Sequence, residues 1–171
     1  MAASIFLGET YFDRGEYQNS QHYYNKSISA CEQSKSWPSR INLCKILIAR
    51  AKVMDNDKAI NLDALYECAE RNKVKLQNGH MARGIGHILM NIDDGHINEA
   101  EHWIQKAIEA DQRNQMMFPL GKDYALYADF FKRKGDRLKA QENLGRGIEI
   151  LKECGADGWL AKYEKELAAI G

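Results

Sequence analysis

The chain has 171 residues, and its 24 Lys+Arg balance 24 Asp+Glu, so the formal charge is zero. That balance argues against a nucleic-acid binder, whose affinity comes mainly from neutralising phosphates. Proline occurs twice (Pro38, Pro119), valine twice (Val53, Val74) and threonine once (Thr10). Sheets are built from β-branched and aromatic residues, so the composition predicts an all-α chain. No apolar run approaches the roughly 18 residues a membrane helix needs. The opening MAASIFLGETYF also lacks the basic start and long apolar stretch of a signal peptide, and a cytoplasmic location is expected. Cys31, Cys44, Cys68 and Cys154 show no C-x-x-C spacing and read as reduced, buried small hydrophobes.

In chain order, helices are predicted near 2–14, 17–35, 39–54, 58–76, 80–92, 96–111, 119–134, 137–154 and 158–169. The first carries a stripe of Ser4, Leu7, Gly8 and Tyr11, stops at Gly15, and is followed by Ser20, Tyr24 and Ser27 on one face of the second. Trp37-Pro38 opens the third, since a proline at a helix start loses no needed N–H. The turn Asp55-Asn56-Asp57 precedes Leu62, Tyr66 and Ala69; Asn78-Gly79 breaks the chain again. Gly95 precedes Ala100, Ile104 and Ala107. Phe118-Pro119 opens a helix striped with Tyr124, Tyr127, Ala128 and Phe131, and Gly135 precedes Ala140, Leu144 and Gly147. In the last helix Asp157 is the expected N-cap. Trp159, Tyr163, Leu167 and Ile170 form its apolar stripe, and Lys162, Glu164, Lys165 and Glu166 are expected to face solvent.

A turn, a small residue, a large one four later and a small one three later therefore recur in three copies, with a weaker second copy that has Leu62 at the first small position, and the large positions stand at 24, 66, 104 and 144. Small residues one turn either side of a large one let a neighbouring helix approach closely. Each copy is read as two antiparallel helices, giving units of about 1–36, 37–78, 79–116 and 117–154 and a capping helix over 157–170.

The run Leu7-Gly8-x-x-Tyr11, then Gly15, Ser20, Tyr24 and Ser27, resembles the tetratricopeptide repeat. The resemblance is strong in the first and fourth units and weakest in the second, where Ala49-Arg50 stands for Leu-Gly. It implies an all-α solenoid of four hairpins, non-enzymatic, that binds a protein or peptide. The long repeat also resembles the helical arms of bacterial signalling ATPases and maltose-regulator-like proteins. The chain is accordingly read as the C-terminal piece of such a protein, with upstream domains as further partners. Ile5, Phe6 and Phe12 in the first helix have no cap before them, which predicts a homodimer through that helix.

The same resemblance places the concave surface on the first helix of each unit. It implies groove residues Ile5, Glu9 and Phe12, then Leu47, Ala51 and Met54, then Ile85, Leu89 and Ile92, then Ala125, Asp129 and Lys132. The apolar middle of that set is either an exposed groove for a partner segment or small apolar ligand, or a surface packed against itself.

No catalytic constellation is found. His80 and His87 could share a helix face, but no metal-binding spacing such as H-E-x-x-H occurs. Gly84-Ile85-Gly86 follows no strand, and Gly121-Lys122-Asp123 lacks a phosphate loop, so both read as close helix contacts. Asp93-Asp94 and Asp55 to Asp57 lack the Gly and closing Glu of a calcium loop. Lys132, Arg133, Lys134, Arg137 and Lys139 form a basic cluster that complements a helix C-terminus or offers a modest anion patch. No cofactor or metal is expected.

Overall fold

The structure, a computed structural model, describes residues 2–170. Its α-helices are α1 (Ala2–Asp13), α2 (Tyr17–Gln33), α3 (Pro38–Met54), α4 (Leu62–Glu70), α5 (Asn78–Ile92), α6 (Ile97–Arg113), α7 (Met117–Arg133), α8 (Arg137–Glu153) and α9 (Asp157–Ile170). Single 3-10 turns at Lys75–Gln77 and Asp94–His96 complete the described elements, and no strand occurs among them. The pairs α1–α2, α3–α4, α5–α6 and α7–α8 are antiparallel hairpins. They stack through α2 on α3, α3 on α5 and α6 on α7, and α9 packs on α8. This is the all-α solenoid expected from the composition and the repeat.

The helices stop in a common way. Gly15, Lys35, Asn56, Gln115, Gly135 and Gly155 take positive φ. The next N–H then reaches back five residues, as in Glu16 to the Tyr11 carbonyl at 2.9 Å and Asp136 to the Phe131 carbonyl at 3.0 Å. This Schellman arrangement satisfies carbonyls the helix end would leave bare, and it recurs after α1, α2, α3, α6, α7 and α8. Two helices end differently. After α5, Asp93 is extended and its Oδ1 accepts from the Gly95 N–H at 2.8 Å, nucleating a 3-10 turn.

The other exception is α4, which is far shorter than the predicted 58–76. The Asn61 side chain accepts from the Ala64 N–H at 3.1 Å and starts the helix late. At the far end, Asn72 Nδ2 donates to the Val74 carbonyl at 2.8 Å and to Asn78 Oδ1 at 2.6 Å, while Ser39 Oγ accepts the Lys73 N–H at 3.2 Å. Side chains that bond the backbone compete with the helix ladder, and here they win.

Close packing follows the small residues. A Cβ on Gly8 would lie 2.4 Å from the Tyr24 ring, and one on Gly86 would lie 2.8 Å from Ile104. Gly84 stands equally close to Ile46, and Gly121 close to Leu151 and the Gly147 carbonyl, so these glycines mark helix contacts as expected. Around them Tyr24, Ile46, Leu47, Ile85, Ile88, Leu89, Ile104 and Phe130 are fully buried, each such side chain contributing about 1.5–3 kcal/mol. A second cluster of Leu144, Leu151 and Tyr163 seats α9. Glu166, expected to face solvent, is half-buried and pairs with Lys132 at 3.4 Å. Cys31 and Cys44 are buried as expected, but Cys68 is half-buried and Cys154 is exposed, because it sits in the turn before α9.

Candidate binding cup on the concave face

The inner faces of α1, α3, α5 and α7, closed at one end by α9, surround a cavity of about 220 Å³. Its lining mixes charge with aromatic surface. Arg50, Arg83 and His87 come from the middle helices, Phe12, Trp159 and Tyr163 from the ends, and Asp13, Lys122, Asp129, Lys162 and Glu166 also face it.

The two arginines are held from behind by acids, half-buried Glu9 for Arg50 and buried Asp111 and Asp123 for Arg83. Arg50 Nη2 donates to Glu9 Oε1 at 2.5 Å and to the Tyr24 hydroxyl at 3.3 Å, and that hydroxyl donates to the same Glu9 oxygen at 2.5 Å. The Arg50 guanidinium also lies 3.7 Å from the Phe12 ring centroid, a cation–π contact strengthened by desolvation. Arg83 Nη1 donates to Asp123 Oδ1 at 2.7 Å, to Asp111 Oδ2 at 3.4 Å and to the Pro119 carbonyl at 3.3 Å. Asp111 fits only because residue 79 is glycine: a Cβ there would sit 1.9 Å from its Oδ1.

These surroundings set the charge states. Burial opposes ionisation of Glu9, but Arg50 and His80 outweigh it and hold its carboxyl well below the usual range. His87 is pushed down to about 3, by burial first and then by the Arg50 and Arg133 cations, so it is neutral. His80 is lowered as well, burial outweighing the attraction of Glu9. Burial, with Asp111 alongside, overcomes Arg83 and raises Asp123 far above the carboxylate range. The Asp111–Asp123 pair therefore keeps a proton where two adjacent carboxylates would otherwise repel.

Across the mouth, Lys122 Nζ pairs with Asp13 Oδ2 at 3.1 Å and lies 4.4 Å from the Trp159 ring centroid. The contact joins α1 to α7 and α9, at opposite ends of the array. Lys132 pairs with Asp129 at 2.8 Å.

Of the groove residues implied by the resemblance, Phe12, Met54, Ala125 and Asp129 line this cavity. Glu9 stands behind it on Arg50, and Lys132 lies beside Asp129. Leu47, Ala51, Ile85 and Leu89 are instead fully buried between helices. Ile5 and Ile92 are half-buried, and Ile5 packs against the core. The apolar middle of the expected groove is thus a surface packed against itself, and Arg50, Arg83 and His87 take its place. The physical reason is register. Counting back from Gly95 assumes the turn used after α1, whereas the Asp93 turn is longer: Gly86 and its partner Ile104 are 18 residues apart, against 16 for Gly8 and Tyr24. The pairing of helix glycines with the large residue of the next helix is the signal that places α5 correctly. In α3 the inward residue is Arg50, one position before Ala51.

The basic cluster is parcelled out. Arg133 donates to the Met90 carbonyl and to Asn91, Lys134 lies over Phe130, and Lys139 pairs with Asp136. Among the described residues no group of three or more His, Cys, Asp or Glu could hold a metal, and no helix is long and apolar enough to cross a membrane.

Hairpins stacked by alternating helices, with a concave cup on the first helix of each, define a helical-repeat protein. Residues 3–34, the span of α1 and α2, match the family model described as tetratricopeptide repeat, and the stacked all-α hairpins are consistent with that family. Such repeats generally mediate protein–protein interaction. No curated protein matches the chain.

Proposed function

We propose that the chain is a non-enzymatic, cytoplasmic scaffold or sensing arm that seats a segment of a protein partner in the concave cup. The supporting observation is the cup itself, a cavity enclosed by helices from all four hairpins and α9 and lined by charged and aromatic groups. Its units run over 1–36, 37–78, 79–116 and 117–154 with a cap over 157–170. The long repeat favours an origin as the C-terminal arm of a larger bacterial signalling ATPase, whose upstream domains would read a change in curvature. A second reading, a small effector molecule in the same cup, draws on its aromatic and charged lining and its volume of about 220 Å³. The exposed Phe6 and Leu7 of α1 support a homodimer.

The scaffold reading is tested by selecting displayed peptides against the purified protein. Affinities are then compared for Lys162→Glu, at the rim of the cup, and Glu70→Lys, on the outer face. Selected peptides are expected to lose at least about tenfold on the first variant and nothing on the second, since reversing a rim charge costs about 1.4 kcal/mol or more. Selection of no peptide, or equal binding to both variants, overturns it.

A further inference from the structure

Every acid near the cup already has a cation. Glu9 is taken by Arg50, Asp13 by Lys122, Asp129 by Lys132, and Glu166 by Lys132 and Lys162; Asp111 and Asp123 share Arg83 and one proton. The donors are not used up. Both protein bonds of Arg50 come from Nη2 and all three of Arg83 from Nη1. Arg50 Nε, Arg83 Nε and His87 Nδ1 are buried without a partner, as is Asp123 Oδ2 behind Arg83. Buried polar groups are nearly always hydrogen-bonded, and the uncovered edges of two guanidiniums outnumber the one bare carboxylate oxygen and call for an acceptor. The acids behind the arginines fix the direction of each guanidinium without covering its remaining edge, which is how outlying groups orient a binding residue.

We propose that the cup is a receptor for one oxyanion group of its ligand, a carboxylate or a phosphate, held by Arg50, Arg83 and His87 with Phe12 and Trp159 against the ligand's apolar body. This rests on reading the cup as the binding site. Two arginine forks suit an oxyanion because each offers parallel donors. His87 adds a neutral ring that touches Phe12 edge-on at 5.7 Å. The field at that ring is positive in spite of the acids, since, after burial, it is Arg50 and Arg133 that press its proton off.

Calorimetric titration of the whole chain tests this, with Trp159 fluorescence as a second readout. Inorganic phosphate and N-acetylglutamate are the probes, with sodium chloride at matched ionic strength as control. Saturable one-to-one binding of either probe, absent with chloride, is expected. Arg83→Lys keeps the charge between Asp111 and Asp123 but loses the second Nη, and His87→Gln breaks no protein bond of the ring. Each should weaken binding at least tenfold with helical content unchanged. Tighter binding of phosphate assigns a phosphoryl group, and tighter binding of N-acetylglutamate assigns a carboxylate. Titrations no different from chloride, or variants that bind as wild type, overturn the proposal. If selected peptides respond to Lys162→Glu while neither probe binds, this inference falls alone. If a probe binds and no peptide is selected, the scaffold reading falls alone.

Discussion

Two buried side chains pull the stability of this fold in opposite directions with pH. Asp123 has its folded pKa raised by burial and by Asp111. It therefore holds a proton the unfolded chain gives up near the usual carboxylate value, and its contribution is present at low pH and lost as pH rises. His87 is the mirror case, lowered by burial and then by Arg50 and Arg133 to about 3. Its contribution is present above the ordinary histidine value near 6.5 and lost as pH falls below it. Between about pH 4 and 6.5 these two slopes oppose each other, and His80, lowered like His87, adds a rise of stability with pH. Below that window Glu9, held low against burial by Arg50 and His80, adds a loss of stability as it takes up its proton. His87→Gln removes one of the two opposing slopes. Urea unfolding of that variant and wild type at pH 4.5, 5.5 and 6.5 should show a slope with pH lower in the variant, by up to about 1.4 kcal/mol per unit. A variant with the wild-type slope would show that His87 titrates normally.

At the scale of the helix, the recurring turn decides where each hairpin points. Gly135 has positive φ and open space where a Cβ would stand, so Gly135→Ala meets no clash and pays only for backbone conformation. It should cost about 1–2 kcal/mol in urea denaturation, and Gln115→Gly, at the equivalent position after α6, should gain about the same at most. Equal stability of both variants and wild type would mean these turns relax freely.

The same turns explain what could be read from the chain. Where a Gly turn and a small–large–small stripe coincide, as around Gly15 and Gly135, the spacing located both helices, and the family resemblance laid over it implied the inward residues Phe12, Ala125 and Asp129. Where the turn is built by side chains, spacing failed. Asn61 and Asn72 shorten α4, and Asp93 displaces α5, because a side chain competing for backbone bonds leaves no periodic trace. The cup's arginines were hidden for a related reason: Arg50 and Arg83 sit among apolar residues, and their acids come from three other helices, α1, α6 and α7. Only tertiary packing brings those partners together.

At the scale of the molecule, the array is tied across its concave side and open along one edge. The Asp13–Lys122 pair joins the first hairpin to the last, so the cup keeps its shape without α1 packing broadly on α3. On the other side of α1, Ala3, Phe6, Leu7 and Thr10 are exposed, with Phe6 72% accessible. The corresponding face of α7 shows what such a surface normally meets. There Leu126 is buried and Tyr127 is held by α6, donating to Glu101 and accepting from Gln105, each at 3.0 Å. The α1 strip carries no charge, so two copies can lay it side by side without like-charge repulsion. The following helices α3, α7 and α9 already pack on α2, α6 and α8 in each copy, which makes a symmetric α1–α1 contact the available geometry. A contact that short falls below the roughly 1,200 Å² of a stable interface, and the dimer should be weak. Sedimentation equilibrium should therefore show mass rising with concentration into the hundreds of micromolar. Phe6→Glu, at a position that contributes little to the core, should stay monomeric with unchanged helical content. A wild-type chain that remains monomeric at the highest concentration would remove the dimer and leave the α1 strip as a surface for a different helix.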